Sequence, residues 1–272
     1  MDNIAGVKHN SEKTTSLLYL EKIVHMSTPA YCVVAQSPMR AEPSDKSEMV
    51  SQMLFGESAE ILDQKDSWCF IQTSHDGYQG WMDRKHLVSS DLVLDLSPLT
   101  SPSIWKDNFS ANHRLSPGSF VSRDKTPLDL APYSFEPIEA APGPKELVTF
   151  AAQYLGTPYL WGGRSLYGID CSGYTQMIAR FAGLSIPRDA YQQAEIGEHI
   201  TFLEETRTGD FAFFDNSDGR IIHVGMIVRY DASIRILHAS GNVRNDLLDH
   251  QGIFRTTDQI YTHNLRLIKR IV

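Results

Sequence analysis

Apolar and polar positions change rhythm twice along this chain. From about Pro29 to Val88 the apolar residues fall in short runs, 31–34, 49–54, 58–63, 68–73 and 78–82, with turn signals at Asp66-Ser67 and Asp76-Gly77. Short strands at this spacing predict a small all-β barrel or sandwich. Over 89–140 prolines and serines become frequent, yet 92–94, 119–122 and 128–130 stay strand-like. That stretch is read as a degenerate second β module or as a long linker, its apolar content favouring the module. Ala140-Ala141-Pro142-Gly143-Pro144 marks the clearest boundary in the chain. Over 145–272 the rhythm turns helical at 147–155, ends at Gly156-Thr157-Pro158, and returns as a second helix beginning at Cys171. Strand-like runs follow at 210–214, 221–230, 234–239 and 265–271. Helices followed by an antiparallel sheet predict an α+β unit. Residues 1–28 are polar apart from Leu17-Leu18-Tyr19-Leu20 and are read as a tail or a short docking helix.

Composition narrows the classes. The 272-residue chain is 42% hydrophobic and 21% charged, the balance of a soluble globular protein. Its net charge of -8 argues against nucleic acid or an anionic membrane as a main partner, since both call for a basic face. No apolar run reaches membrane-spanning length, and the N-terminal stretch lacks the apolar core and cleavage site of a secretory signal. A cytoplasmic monomer is the expectation. Of the three cysteines, Cys32 and Cys69 lie in strand-like runs and read as small core residues.

The third cysteine stands apart. Asp170-Cys171-Ser172-Gly173 follows Trp161-Gly162-Gly163 and opens an apolar-periodic helix. A helix N-terminus offers unpaired N–H groups and a positive dipole end, both of which favour a thiolate. His223 and His238 lie downstream in apolar runs, and a hairpin near 231–233 would make their strands neighbours. His238 would then fix the tautomer of His223, and His223 would act as general base toward Cys171. The backbone N–H of Cys171 is the natural oxyanion donor, with the Tyr159 hydroxyl as a second. The competing readings are two satisfied core histidines, or a pair of metal ligands. No third ligand stands at supporting spacing, so neither a metal nor another cofactor is expected. His75 and His86 fall in turn-like contexts, and His199, His250 and His263 in polar ones, which reads as surface.

Taken together, the residues resemble the NlpC/P60 family of cysteine peptidases. The matching pieces, in family order, are Gly156-Thr157-Pro158-Tyr159, Trp161-Gly162-Gly163, Asp170-Cys171-Ser172-Gly173, Pro187-Arg188-Asp189, Gly209-Asp210-Phe211, His223-Val224-Gly225 and His238-Ala239. The resemblance implies a papain-like catalytic domain over 145–272, with Cys171 as nucleophile, His223 as base and His238 as the orienting member. Upstream, Ser37-Pro38-Met39-Arg40, Phe55-Gly56-Glu57 and Asp76-Gly77-Tyr78-Gln79-Gly80-Trp81 resemble bacterial SH3 (SH3b) domains, well over 29–88 and faintly over 89–140. The architecture resembles γ-D-glutamyl-diamino acid endopeptidases, which trim murein peptides. It implies a substrate with a free N-terminal L-alanine, walled off by the SH3b domain. Asp170, Glu48, Tyr78 and Ser172 are then the implied amine contacts. A serine commonly follows the Pro-Arg-Asp element in such enzymes; Ala190 stands here, which points to Asp189 as a substitute grip. An amidase or acyltransferase using the same site, and a non-catalytic wall-binding protein, are the alternatives.

Overall fold

The structure is a computed structural model that describes residues 28–272 apart from 93, 141 and 232. The expected tail or docking helix lies outside the described residues but for its last position. Seven short antiparallel strands make the first unit, in the order Met49–Leu54, Gln36–Arg40, Gln79–Asp83, Trp68–Thr73, Ser58–Lys65, Ala30–Cys32 and Leu87–Ser89. Along Trp68–Thr73 the alternate residues Cys69, Ile71 and Thr73 turn inward, as a strand with one buried face requires. They meet Cys32, Met39, Met53 and Met82 in a core of small and flexible side chains.

The Pro/Ser-rich stretch is a β unit rather than a linker. Asn112–Leu115, Ser103–Asp107, Tyr133–Ala140 and Leu128–Leu130 form a four-stranded sheet, and Leu96–Pro98 pairs with Phe120–Ser122. The predicted strand at 92–94 falls partly outside the described residues; a strand lies at Leu96–Pro98, where Phe120–Ser122 supplies its backbone partner. Trp105, Leu115, Leu130 and Phe135 share one core with Phe55 and Tyr31 of the first unit. The two β units are thus packed together through common apolar contacts.

In the C-terminal unit the predicted antiparallel sheet closes on itself. Gly252–Arg255 pairs with Asn242–Leu248 on one side and with Ile260–Arg270 on the other. This closes a barrel with Phe211–Asp215, Ile221–Tyr230 and Ser233–Ser240, while Glu198–Ile200 adds to the edge of Ile260–Arg270. The closing strands are rich in Asn, Arg and Asp, so hydrophobic alternation does not announce them. Ala212, Phe214, Ile227, Ile236 and Ile253 fill the inside. The outer face, Phe211, Phe213, Val224, Met226 and Leu237, packs under the helices Leu147–Ala152 and Cys171–Phe181. The first helix is shorter than the predicted 147–155, since i→i+3 bonds at Gln153, Tyr154 and Leu155 tighten its end.

One buried ion cluster joins the first β unit to the C-terminal unit. Glu57 accepts from Arg164 at 3.0 Å through each carboxylate oxygen and pairs with Arg180 at 2.6 Å. Burial opposes the charge on Glu57, but Arg164, Arg180 and His75 outweigh it and hold the carboxyl at about 2. Arg164 also donates to Gln52 O at 2.7 Å and to Gln176 Oε1 at 3.1 Å, and its Nη2 lies 3.0 Å from His75 Nε2. His75, expected at the surface, is therefore part of this junction; its Asp76 neighbour and Glu57 draw it in. Removing one member of such a cluster leaves buried charge unpaired. Glu57→Ala should lower the unfolding free energy by about 3–5 kcal/mol in chemical denaturation, whereas a loss below about 1 kcal/mol would show that the cluster is not a clamp.

Candidate active site

The nucleophile candidate is held by its neighbours on both sides. Asp170 caps the Cys171–Phe181 helix, accepting from Gly173 N at 2.7 Å with Oδ1 and from Gly162 N at 2.8 Å with Oδ2. Gly162 has φ +77°, and a Cβ there would come within 2.6 Å of the Met49 carbonyl oxygen. The Gly-Gly turn thus lets the SH3-like strand Met49–Leu54 approach the helix start closely. Cys171 is buried, with 7% of its surface exposed. Against the expected thiolate, burial and the adjacent Asp170 carboxylate push the thiol up to about 12. Hydrogen bonding with the Val224 backbone and the charge of Arg188 act the other way and do not prevail. The dipole argument fails because the same residue that caps the helix places a negative charge beside the sulfur.

The two predicted histidines come together as the hairpin reading required. Ile221–Tyr230 and Ser233–Ser240 pair antiparallel with Gly225 opposite His238. His223 Nε2 lies 2.8 Å from His238 Nδ1. The glycine is needed: a Cβ at 225 would sit 2.8 Å from the His238 Cβ. His223 is one residue from Val224, whose backbone meets the Cys171 thiol. With Nε2 taken by His238, Nδ1 is the nitrogen left to receive a proton. Burial, with His238 and His263 alongside, holds the His223 imidazole well below its ordinary value. Both shifts favour the uncharged forms of Cys171 and His223.

His263 is a further correction. Closure of the barrel brings its ring onto that of His223, stacked at 22° with centroids 4.2 Å apart. Burial and His238 lower it to about 4. The sequence holds His263 amid polar neighbours, and only the strand pairing with Gly252–Arg255 reveals it. Asp246 was likewise unsignalled: its Oδ2 lies 3.1 Å from His238 Nε2.

A cleft of about 460 Å³ runs past the thiol. Of the predicted contacts, Glu48, Tyr78, Tyr159, Asp170, Ser172 and Asp189 all line it together with Cys171. Their availability differs. Asp170 faces four donors, since Arg188 Nη2 at 2.6 Å and Ser172 Oγ at 3.4 Å join the two backbone amides. A carboxylate offers about four lone-pair sites, so Asp170 is fully engaged. Arg188, fully buried, bonds Ser172 Oγ at 2.8 Å and Ser51 Oγ at 3.2 Å, tying both domains to the cleft floor. Glu48 accepts from Trp161 Nε1 at 2.7 Å and keeps the rest of its capacity. Asp189 is half-buried, and burial pushes its carboxyl up despite Arg188 beside it. Tyr78 is raised to about 12, by burial first and then by Asp189.

Comparison with known proteins now decides the family. Residues 156–262 match the NlpC/P60 family model, and 39–87 match the bacterial dipeptidyl-peptidase SH3 domain. The C-terminal unit is an NlpC/P60 domain. A Bacillus subtilis relative, gamma-D-glutamyl-L-lysine dipeptidyl-peptidase, is 29% identical over 253 residues, covering 81% of this chain and 80% of its own. Dipeptidyl-peptidase 6 of Lysinibacillus sphaericus is 24% identical over 82% of this chain and 92% of its own. The crystal structure of an NlpC/P60 family protein from Bacillus cereus superposes with a TM-score of 0.72, at 20% identity, over 89% of this chain and 99% of its own. That likeness spans both the SH3 and the NlpC/P60 portions and shows a shared fold.

The NlpC/P60 domain's buried histidines set its pH behaviour. His223, His238 and His263 are all lowered in the folded protein, in each case chiefly by burial. The unfolded chain takes up their protons near pH 6.5, where the folded chain does not, so stability falls as pH drops through that value. Thermal denaturation should show a lower melting temperature at pH 5.5 than at pH 7.5. On a peptide substrate, the acid limb of kcat/KM should lie below pH 6.5; a limb above it would contradict a neutral buried base.

Proposed function

We propose that this chain is a cysteine peptidase with a papain-like α+β catalytic domain that hydrolyses the γ-D-glutamyl–diamino acid bond of murein peptides bearing a free N-terminal L-Ala. The observation that carries the reading is the make-up of the cleft, where Glu48 and Tyr78 from the SH3 domain stand with Asp189 around the pocket that holds Cys171. A peptide whose chain begins in such a pocket meets carboxylates at its first residue. Asp189 is raised by burial and forms no salt bridge within 4 Å among the described residues, the state of a carboxylate awaiting a cation. Asp170, already saturated by Arg188 and amides, adds its charge through space, and Ser172 supports it. The grip that Ser at position 190 would provide in related enzymes passes to Asp189. The Bacillus subtilis relative is named for a γ-D-glutamyl bond, which agrees.

The chemistry follows from the neutral pair. As the γ-carbonyl carbon approaches, the Cys171 thiol proton passes to His223 Nδ1 and the sulfur attacks. The oxyanion forms beside the Cys171 backbone N–H, which has no acceptor within the helix. Tyr159 lies in the same cleft, and burial pushes its phenol far above the ordinary value, so it remains a donor. His223 then protonates the departing amine and, in the second half-reaction, takes a proton from the water that opens the thioester. The amine leaves over the His223 strand, where Asn216, Arg220 and Ile222 line the cleft. Arg220 there provides a cation for a carboxylate of the released diamino acid. A free-amine requirement suits peptides already detached from the wall, hence a role in murein peptide recycling in the cytoplasm.

Cys171→Ala should abolish turnover of L-Ala-γ-D-Glu-diaminopimelate while leaving its binding within about threefold by calorimetry. N-acetylating the L-Ala should lower kcat/KM by about 10²-fold, as expected when a buried carboxylate loses its partner. Asp189→Asn should raise KM for the free peptide and erase that preference. Equal rates on free and acetylated peptide would instead favour a general amidase.

A further inference from the structure

The proton positions in the histidine pair are not settled by the pair itself. Two neutral imidazoles joined Nε2 to Nδ1 can run either way. In one arrangement His223 donates from Nε2 and keeps Nδ1 bare. In the other His238 donates from Nδ1, and His223 must carry its own proton on Nδ1, where it has no lone pair for a thiol. Catalysis as read above works only in the first.

We infer that Asp246 is a positioning residue that selects the working arrangement, setting through His238 which nitrogen of His223 is bare. The inference rests on the assignment of Cys171 and His223 as nucleophile and base. Asp246 lies on Asn242–Leu248, the strand beside that of His238, and pairs in register with Ile236. It is buried, with 4% of its surface exposed. Its Oδ2 stands 3.1 Å from His238 Nε2. Arg244, two residues away on the same strand, also holds the carboxylate, with Nε 2.5 Å from Oδ2 and Nη2 3.2 Å from Oδ1.

A carboxylate can only accept, so His238 must donate from Nε2. Being neutral, His238 then has a lone pair on Nδ1. The His223 Nε2 at 2.8 Å must therefore donate, and His223 Nδ1 is left bare. The carboxylate remains ionised through the working range: burial opposes this, but hydrogen bonds from His238 and Arg244 hold it at about 2. When His223 takes the thiol proton it becomes an imidazolium that still donates from Nε2 to His238 Nδ1. No proton moves to His238 or Asp246. The negative charge of Asp246 faces that cation through the His238 ring, with Arg244, Arg255 and His263 as the other titratable or charged groups around the pair.

Two features of the fold frame the pair. Gly225 opposite His238 leaves room for the His238 Cβ, and His263 covers one face of His223. Neither can distinguish the tautomers, because neither bonds the ring nitrogens of the pair. Asp246 does.

The test is nitrogen NMR of the full chain with ¹⁵N-labelled histidine at pH 7.5. In the wild type both His223 and His238 should show protonated Nε2 and unprotonated Nδ1. Asp246→Asn should shift His238 toward protonated Nδ1, and lower kcat by on the order of 10²-fold with KM within about twofold, less than the ~10⁴ seen when a carboxylate touching the base itself is lost in a serine triad. Asp246→Glu should restore part of kcat. A wild-type His223 protonated on Nδ1, or an Asp246→Asn variant with unchanged tautomers and kcat, would overturn the inference. If Asp246→Asn does not fold, the wild-type spectrum decides alone. Cys171→Ala separates the two levels: hydrolysis surviving in it sinks the nucleophile assignment, while the tautomers are still read directly.

Discussion

Glu57 sits between two arginines that belong to a different domain, and the remainder of the site hangs on that contact. Its carboxylate takes both forks of Arg164 and one of Arg180, with Glu57 and Arg164 buried and Arg180 only slightly exposed. A buried pair of this kind gains little over an apolar contact but is costly to break, so it acts as a constraint on geometry more than as a store of stability. Arg164 lies just past the Gly-Gly turn, and Arg180 near the end of the Cys171 helix. The clamp therefore fixes the SH3 domain against both ends of the segment that carries Cys171. Arg188 repeats the device one layer nearer the cleft, bonding Ser51 on one side and Asp170 on the other. Residues far apart in sequence, Glu48 and Cys171, share one pocket because of these two arginines.

The electrostatics of the cleft follow from that construction. Asp170 is needed as a helix cap and as the partner of Arg188, and its charge is a penalty for a thiolate next door. Both charges are disfavoured there: burial and Asp170 push the sulfur toward its protonated form, and burial holds the His223 imidazole toward its neutral one. This makes the direction of the proton, from sulfur to His223 Nδ1, the step that the surroundings must prepare. The chain of acceptors from His223 through His238 to Asp246 prepares it by bonding geometry, without placing a second charge at the reacting atoms.

Much of the site was readable in the one-dimensional pattern because its parts are local. A cysteine after Asp at the start of an apolar helix, and two histidines in apolar runs joined by a short turn, are neighbours by rules of helix capping and hairpin pairing. The strand at 68–73 matches its predicted span because it alternates cleanly, and those at 49–54 and 221–230 match because each carries a run of buried positions. His263 and Asp246 were not readable. Each lies in a polar strand that hydrophobic alternation does not announce, so nothing local set it beside the histidines of the predicted strands. His75 was misplaced for the same reason, since a polar turn is exposed only until another domain covers it.

What the sequence determined by itself is the inventory of reacting groups and the local frames that present them, because capping, alternation and hairpin spacing act over a few residues. The state of those groups was decided by the tertiary structure alone. Whether Cys171 is a thiolate, whether Asp170 has a free oxygen, and which nitrogen of His223 is bare all depend on burial and on partners tens of residues away. Desolvation and hydrogen-bond saturation are properties of a packed volume, and a linear pattern carries neither.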